Sequence, residues 1–225
     1  MPVNEADCFL RRITLYLYHG EPVKELRLVG ITALLAGSLA GCGWLSTRGV
    51  DSQGYWLPLT VVVRFDPSVT GATLAYTDAC QQPKTISAGA QLTYALRREI
   101  GLAFERVRVE EAATKQTPDG ELEVSLGLKE IELTIPRQAD KSHAATVRLG
   151  GTVVFRDQAG TVLYTKSLRT DLQGEVATTR QSCEVSGLAE VINDAGLILA
   201  QGVKKNLGTS VKLQEYAGQR EAARR

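Results

Sequence analysis

From residue 57 onward the chain alternates between apolar and polar positions with two different periods. Leu57, Leu59, Val61, Val63 and Phe65 fall on every second position and stop at Asp66-Pro67, which predicts a first strand, with Val62 extending its burial to both faces. Residues 67–86 are mostly polar and read as a long loop. Leu92, Ala95, Leu96, Ile100, Ala103 and Phe104 then follow helical spacing, which predicts a helix from Ala88 to about Glu105 with Ser87 as its N-cap. Val107 and Val109 alternate with Arg106, Arg108 and Glu110 as a short strand. After a loop over 114–120, Leu122, Val124, Leu126 and Leu128 occupy even positions, while Ile131, Leu133 and Ile135 occupy odd ones. Such a change of parity implies a bulge near Lys129-Glu130 or a bend onto another face. Val147, Leu149, Gly151, Val153 and Phe155 form the next strand, joined to Val162-Leu163-Tyr164 through Asp157-Gln158-Ala159-Gly160. That connection suits a tight turn closed by a glycine at positive φ. A polar stretch rich in threonine and glycine runs to Ser182. A second helix over about 185–207 carries Val185, Leu188, Val191, Ile192, Ala195, Leu199 and Val203 and stops at Gly208.

The order β-α-β-β-β-β-α predicts an α+β two-layer sandwich, a mixed sheet of about five strands with two roughly parallel helices on one face. If the strand from Glu121 runs parallel to the first, the strands entering both helices point the same way. The domain is expected to span 57–208, and residues 209–225 to form a charged, frayed tail.

Upstream lies a different kind of segment. Leu26, Leu28, Val29, Ile31, Ala33, Leu34, Leu35, Ala36 and Leu39 make an apolar run of about 16 residues, shorter than a spanning helix needs. Lys24 and Arg27 flank it, and Leu39-Ala40-Gly41-Cys42 closes it with small residues ahead of a cysteine, the pattern of a secretory processing site. The closing tetrapeptide resembles a bacterial lipoprotein lipobox. That resemblance implies cleavage between Gly41 and Cys42, diacylation of the Cys42 thiol and acylation of the new amino terminus. Residues 1–41 are then leader and signal, with translation expected to start at Val23, and 42–56 a lipidated tether. Gly43, where a retention signal would have aspartate, implies the periplasmic face of the outer membrane. Removing four basic and four acidic residues with the leader leaves the net charge at +1. Neither a charge that small nor any basic, aromatic-interleaved stripe points to nucleic acid.

With Cys42 acylated, Cys80 and Cys183 remain. Two cysteines in an exported chain suggest a disulfide, and the parallel-helix topology places both, each just before a helix, at the same end of the sheet. Two free buried thiols are the alternative; a metal pair lacks further ligands nearby.

Little in the sequence points to catalysis. His143 is the single histidine after residue 41, and Ser142, His143 and Asp140 could nominate a triad only from within one loop. No phosphate loop follows a strand, Gly150-Gly151 falling within one, and the acidic positions lack the spacing of a calcium loop. No enzyme activity, metal or cofactor is expected. Glu123, Ser125, Gly127 and Lys129 line a polar sheet face, and the strand near 106–110 offers an open edge, both available to a partner.

Phe104 followed by Val107 and Val109, the run Leu122-Glu123-Val124-Ser125-Leu126, the turn Asp157 to Gly160 and the closing helix together resemble a broad group of small envelope lipoproteins. The group includes the lipopolysaccharide-assembly plug lipoproteins, the amino-terminal domain of the Tol-system propeller protein, and subunits of curli and exopolysaccharide export. The resemblance implies a non-enzymatic, lipid-anchored accessory subunit of a cell-envelope transport or assembly complex, with a barrel or transporter as partner. The alternative is a periplasmic lipoprotein that binds a small molecule or lipid between sheet and helices, lined by Leu92, Leu96, Ile100, Leu188, Ile192 and Leu199.

Overall fold

The computed structural model describes residues 56–109, 117–135, 142–179 and 183–225. Residues 1–55, with Gly41 and Cys42, lie outside the described residues, as does Asp140. The described chain is α+β: a six-stranded mixed sheet, a separate two-stranded hairpin and four helices. Its elements are β1 (Leu57–Phe65), α1 (Pro67–Thr70), β2 (Thr73–Thr77), β3 (Pro83–Ser87), α2 (Gly89–Gly101), β4 (Phe104–Val109), β5 (Gly120–Leu133), β6 (Ser142–Asp157), β7 (Val162–Thr179), β8 (Glu184–Ser186), α3 (Leu188–Gly208) and α4 (Val211–Arg224).

The main sheet runs β4-β1-β5-β6-β7-β8. β1 is parallel to both neighbours, β4 and β5, and every later pairing is antiparallel. The inward positions of β1, β5 and β6 pack against Leu92, Leu96 and Ile100 of α2 and Leu188, Ile192, Leu199 and Val203 of α3 in one core. A sheet covered by helices on one face leaves the other to water, and the outer face carries Arg64–Glu121 (2.8 Å) and Arg148–Glu132 (2.7 Å) ion pairs.

Six strands and four helices replace the five and two expected, and each difference has a local cause. Residues 67–86 are not a loop. Asp66 caps the single turn α1, accepting from the Ser68 amide at 2.7 Å, and the hairpin β2–β3 follows. The hairpin escapes notice because β3 presents mostly exposed side chains and its turn lacks glycine. That turn copies the one at Asp157. Asp78 Oδ1 accepts from the amides of Cys80 (2.9 Å) and Gln82 (2.8 Å), as Asp157 Oδ1 accepts from Ala159 (2.9 Å) and Thr161 (2.8 Å). The left-handed position is filled by Gly160 (φ 81°) in one turn and by Gln81 (φ 64°) in the other.

α2 starts without a side-chain cap. Ala88 is its N-cap rather than Ser87, which ends β3, and the Ala88 and Gly89 amides donate to the Ala72 carbonyl at 2.9 and 3.1 Å. The helix stops at Gly101, and Phe104 already belongs to β4.

The parity change in β5 is a bulge at Gly127, two residues before the expected place: Leu126 pairs with Gly151 and Leu128 with Gly150. Beyond it Ile131 and Leu133 pair with the buried Val147 and Ala145 and so return to the helix side. Lys129, opposite the buried Leu149, moves with them and leaves the polar face expected for it. It lies close enough to help lower the Asp66 carboxyl, after the larger effect of that carboxyl's hydrogen bonds with Ser68.

The polar stretch after Tyr164 is the continuation of β7, which runs to Thr179. Thr170, Gly174 and Thr178 occupy inward positions among Leu168, Leu172 and Val176, so the alternation is present but diluted. Gly174 is required by close approach: a Cβ there would sit 2.5 Å from Cγ2 of Val191 in α3. The segment before α3 also differs, since residues 184–186 pair with β7 as β8 and the helix begins at Leu188.

The tail expected to fray is α4, whose Ser210 N-cap accepts from the Leu213 amide at 3.5 Å and whose Leu213 and Ala217 are buried. The ring of its Tyr216 meets Phe155 edge-on, centroids 5.9 Å apart, and Phe155 in turn stacks on Phe104.

A disulfide joins Cys80 and Cys183, with Cα atoms 5.1 Å apart. Neither residue directly precedes a helix. Cys80 sits in the β2–β3 turn and Cys183 just ahead of β8, so the bond ties the small hairpin to an outer strand of the main sheet. Closing a loop of 103 residues restricts the unfolded chain by about 4–5 kcal/mol in the chain-entropy account.

Candidate functional site

Of the residues singled out for a triad, the two described ones do not meet. Ser142 and His143 are successive residues of β6 and project from opposite faces. Ser142 donates to Glu175 at 3.3 Å, while His143 Nε2 lies 3.1 Å from the Thr178 hydroxyl. The residues proposed to line an internal ligand site are core: Leu92, Leu96, Ile100, Leu188, Ile192 and Leu199 are each at most 3 % exposed. The gap between sheet and helices there, bounded by Leu96, Leu126, Val153, Leu168, Leu199 and Val203, measures about 10 Å³. That is room for one water at most, against several hundred Å³ for a small-molecule site.

Two larger spaces lie at the surface. One, about 460 Å³, is an open groove between the outer flanks of α2 and α3, lined by Ala90, Gln91, Tyr94, Ala95, Arg98, Asn193 and Leu197. Tyr94 is 69 % exposed, and an ion pair between Lys204 of α3 and the buried Glu99 of α2 at 2.5 Å joins the two helices. An apolar strip with an aromatic rim on rigid helices is the kind of surface that a partner side chain or segment fills.

The other space, about 350 Å³, is polar and centres on Asp119, with Thr60, Glu105, Arg106, Thr117, Arg220 and Arg224 around it. Its geometry follows from an offset in the sheet. β5 starts opposite Val61, so the first residues of β1 extend beyond it. Asp119, one residue before β5, closes that gap: its carboxylate accepts from the Thr60 amide at 2.7 Å and its amide donates to the Thr60 carbonyl at 2.7 Å. Arg220 Nε (3.1 Å) and Arg224 reach the same carboxylate from α4, and the Tyr216 hydroxyl donates to the Asp119 carbonyl at 2.6 Å. Burial raises the Tyr216 phenol above its ordinary value, Arg220 opposing the shift. Glu105 also pairs with Arg224, at 3.6 Å. The arginines are therefore matched by carboxylates, and the cluster works as a latch that holds α4 against the open end of β1.

Nothing in the sequence reading singled out Asp119. A signal was present, because Tyr216, Arg220 and Arg224 recur at four-residue steps and Leu213 and Ala217 do the same, a helical face hidden within a charged tail.

β4 forms one outer strand of the main sheet, laddered to β1, and β8 the other. Among the described residues no group of His, Cys, Asp and Glu is arranged to hold a metal ion, and no helix is long and apolar enough to cross a membrane.

No protein-family model matches the chain, and no curated protein sequence does either. Solved structures similar to it include a DUF330 protein from Xanthomonas campestris, 9% identical over 74% of this chain and 91% of that one, with a TM-score of 0.44. Lipoprotein B from Nitrosomonas europaea is 11% identical over 77% of this chain and 94% of its own, at 0.43. A minor lipoprotein from Acinetobacter baumannii is 10% identical over 66% and 91%, at 0.36. Likeness at that level decides neither family nor activity.

Proposed function

We propose that this protein is a lipid-anchored, non-enzymatic accessory subunit of a cell-envelope transport or assembly complex, held through acylated Cys42 at the periplasmic face of the outer membrane. The observation that carries the reading is a lipobox-like sequence ahead of a domain in which Leu92, Leu96, Ile100, Leu188, Ile192 and Leu199 are packed core. The gap lined by Leu96, Leu199 and Val203 holds about 10 Å³, too little for a ligand, so the reading turns to the domain's surfaces and to contacts with other proteins. The disulfide agrees with export, since such bonds persist in oxidising compartments. The groove beside Tyr94 is the surface we assign to the partner, a barrel or transporter of the envelope.

Mild crosslinking, gentle solubilisation and affinity purification of the full-length chain test this, with Cys42→Ser and Tyr94→Ala as controls. A stoichiometric envelope partner, reduced in both variants, is the expected result. An anchored protein that emerges alone, or one carrying a retained lipid in native mass spectra, overturns the subunit reading in favour of ligand binding.

A further inference from the structure

The end of the domain at which β1 begins carries two large apolar side chains in water. Trp56 is 50 % exposed and Leu102 56 %. They are neighbours through the backbone, because the Leu57 amide donates to the Ala103 carbonyl at 2.7 Å and each apolar residue immediately precedes one of the bonded pair. Arg224 reaches the same end, donating to the Pro58 carbonyl at 3.4 Å. Tryptophan is the side chain most suited to a headgroup layer, with an apolar ring and one polar N–H.

We infer that Trp56 and Leu102 form a membrane-apposed patch, resting on the lipid surface that holds the Cys42 acyl chains; this rests on the lipid-anchor reading above. The position of the patch in the chain argues for that occupant. Trp56 is fourteen residues from Cys42, so the covalent connection reaches at most about 50 Å, and the first residue of the domain that the connection meets is the exposed tryptophan. The anchor keeps the patch at high local concentration beside the bilayer, where two side chains too weak to bind membranes alone are sufficient to orient the domain. Arg224 faces Glu105 and Asp119, and Arg225 faces Glu221 at 2.6 Å, so these two cations are already paired within the protein. Contact through Trp56 and Leu102 themselves depends on headgroup depth rather than on anionic charge. This orientation turns the first residues of β1 and the C-terminal end of α2 toward the lipid.

Acylated full-length protein carrying Trp44→Phe, which leaves Trp56 as the single tryptophan of the two, is reconstituted into phosphatidylcholine vesicles with and without brominated acyl chains. The expected result is blue-shifted Trp56 emission that brominated lipid quenches and aqueous acrylamide does not, little change on adding phosphatidylglycerol, and loss of the bromine quenching in Leu102→Asp. Protein that floats with vesicles and carries the acyl mass on Cys42, yet shows Trp56 as open to acrylamide as in Cys42→Ser, overturns the patch and leaves the anchor standing. Protein that neither floats nor carries the acyl mass overturns the anchor reading and this inference with it.

Discussion

Replacing Asp119 by alanine tests whether the C-terminal helix belongs to the cooperative fold. The carboxylate is 3% exposed and accepts from one backbone amide and two arginines. Its removal leaves the buried Thr60 amide without an acceptor on that side, at about 1–3 kcal/mol. The arginine side chains are 31% and 41% exposed, so water takes over much of what they lose, and we discount the full value of a broken buried pair to about 1 kcal/mol. The sum is about 2–4 kcal/mol, which in a domain of this size lowers the Tm by roughly 4–16 °C. Asp119→Asn keeps an acceptor for Thr60 and should lose about half as much. The assay is thermal unfolding by circular dichroism, with amide exchange resolved along the chain. In Asp119→Ala, the amides of α4 should exchange well ahead of those in α3. A double-mutant cycle with Arg220→Ala should show coupling of about 0.5–1 kcal/mol. If Asp119→Ala lowers the Tm by less than about 2 °C, with α4 as protected as in the parent, the latch argument is wrong.

Gly174→Val drives a branched side chain into the space of Val191 and should destabilise by about 2–3 kcal/mol or more, read as a lower urea midpoint at unchanged slope. Gln81→Gly removes a left-handed backbone penalty in the turn that carries Cys80 and should stabilise by about 0.5–1 kcal/mol; a neutral or negative result in urea titration refutes the parallel drawn with Gly160. Tyr216 has its phenol raised above the ordinary value by burial, so the folded state holds that proton more tightly than the unfolded chain does. Its contribution is fully present below about pH 10 and is lost as pH rises from there through the folded value. Tyr216→Phe should therefore lower stability near neutrality, through loss of the hydrogen bond to Asp119, and flatten the alkaline decline; an unchanged alkaline slope counts against this assignment.

Legibility in the sequence followed the strength of local signals. β1 and the first half of β5, Leu122 to Leu126, bury one face, so their apolar residues alternate without gaps. The turn at Asp157 announced itself through Gly160, while its twin at Asp78 went unseen because Gln81 occupies the position that demands positive φ. The second half of β7 gives a weak local signal because its inward face is built partly from Thr170, Gly174 and Thr178, of which Gly174 makes room for Val191 of α3. α4 reads as a charged tail in the sequence because only Leu213 and Ala217 of its residues are buried and Arg220 and Arg224 extend its inner face.

Local patterning alone sets the α+β class, strands β1, β5 and β6, helices α2 and α3 and the lipobox-like segment ahead of them, because periodicity and small-residue motifs act within a few neighbours. The tertiary structure decided the rest. It set the strand order that makes β1 parallel to both β4 and β5, the meeting of Asp119 with arginines about a hundred residues away, and the close packing of Leu92, Leu96 and Leu199 between sheet and helices. Those features depend on which surfaces come together, and residues distant in sequence carry no local mark of the partners that folding brings to them.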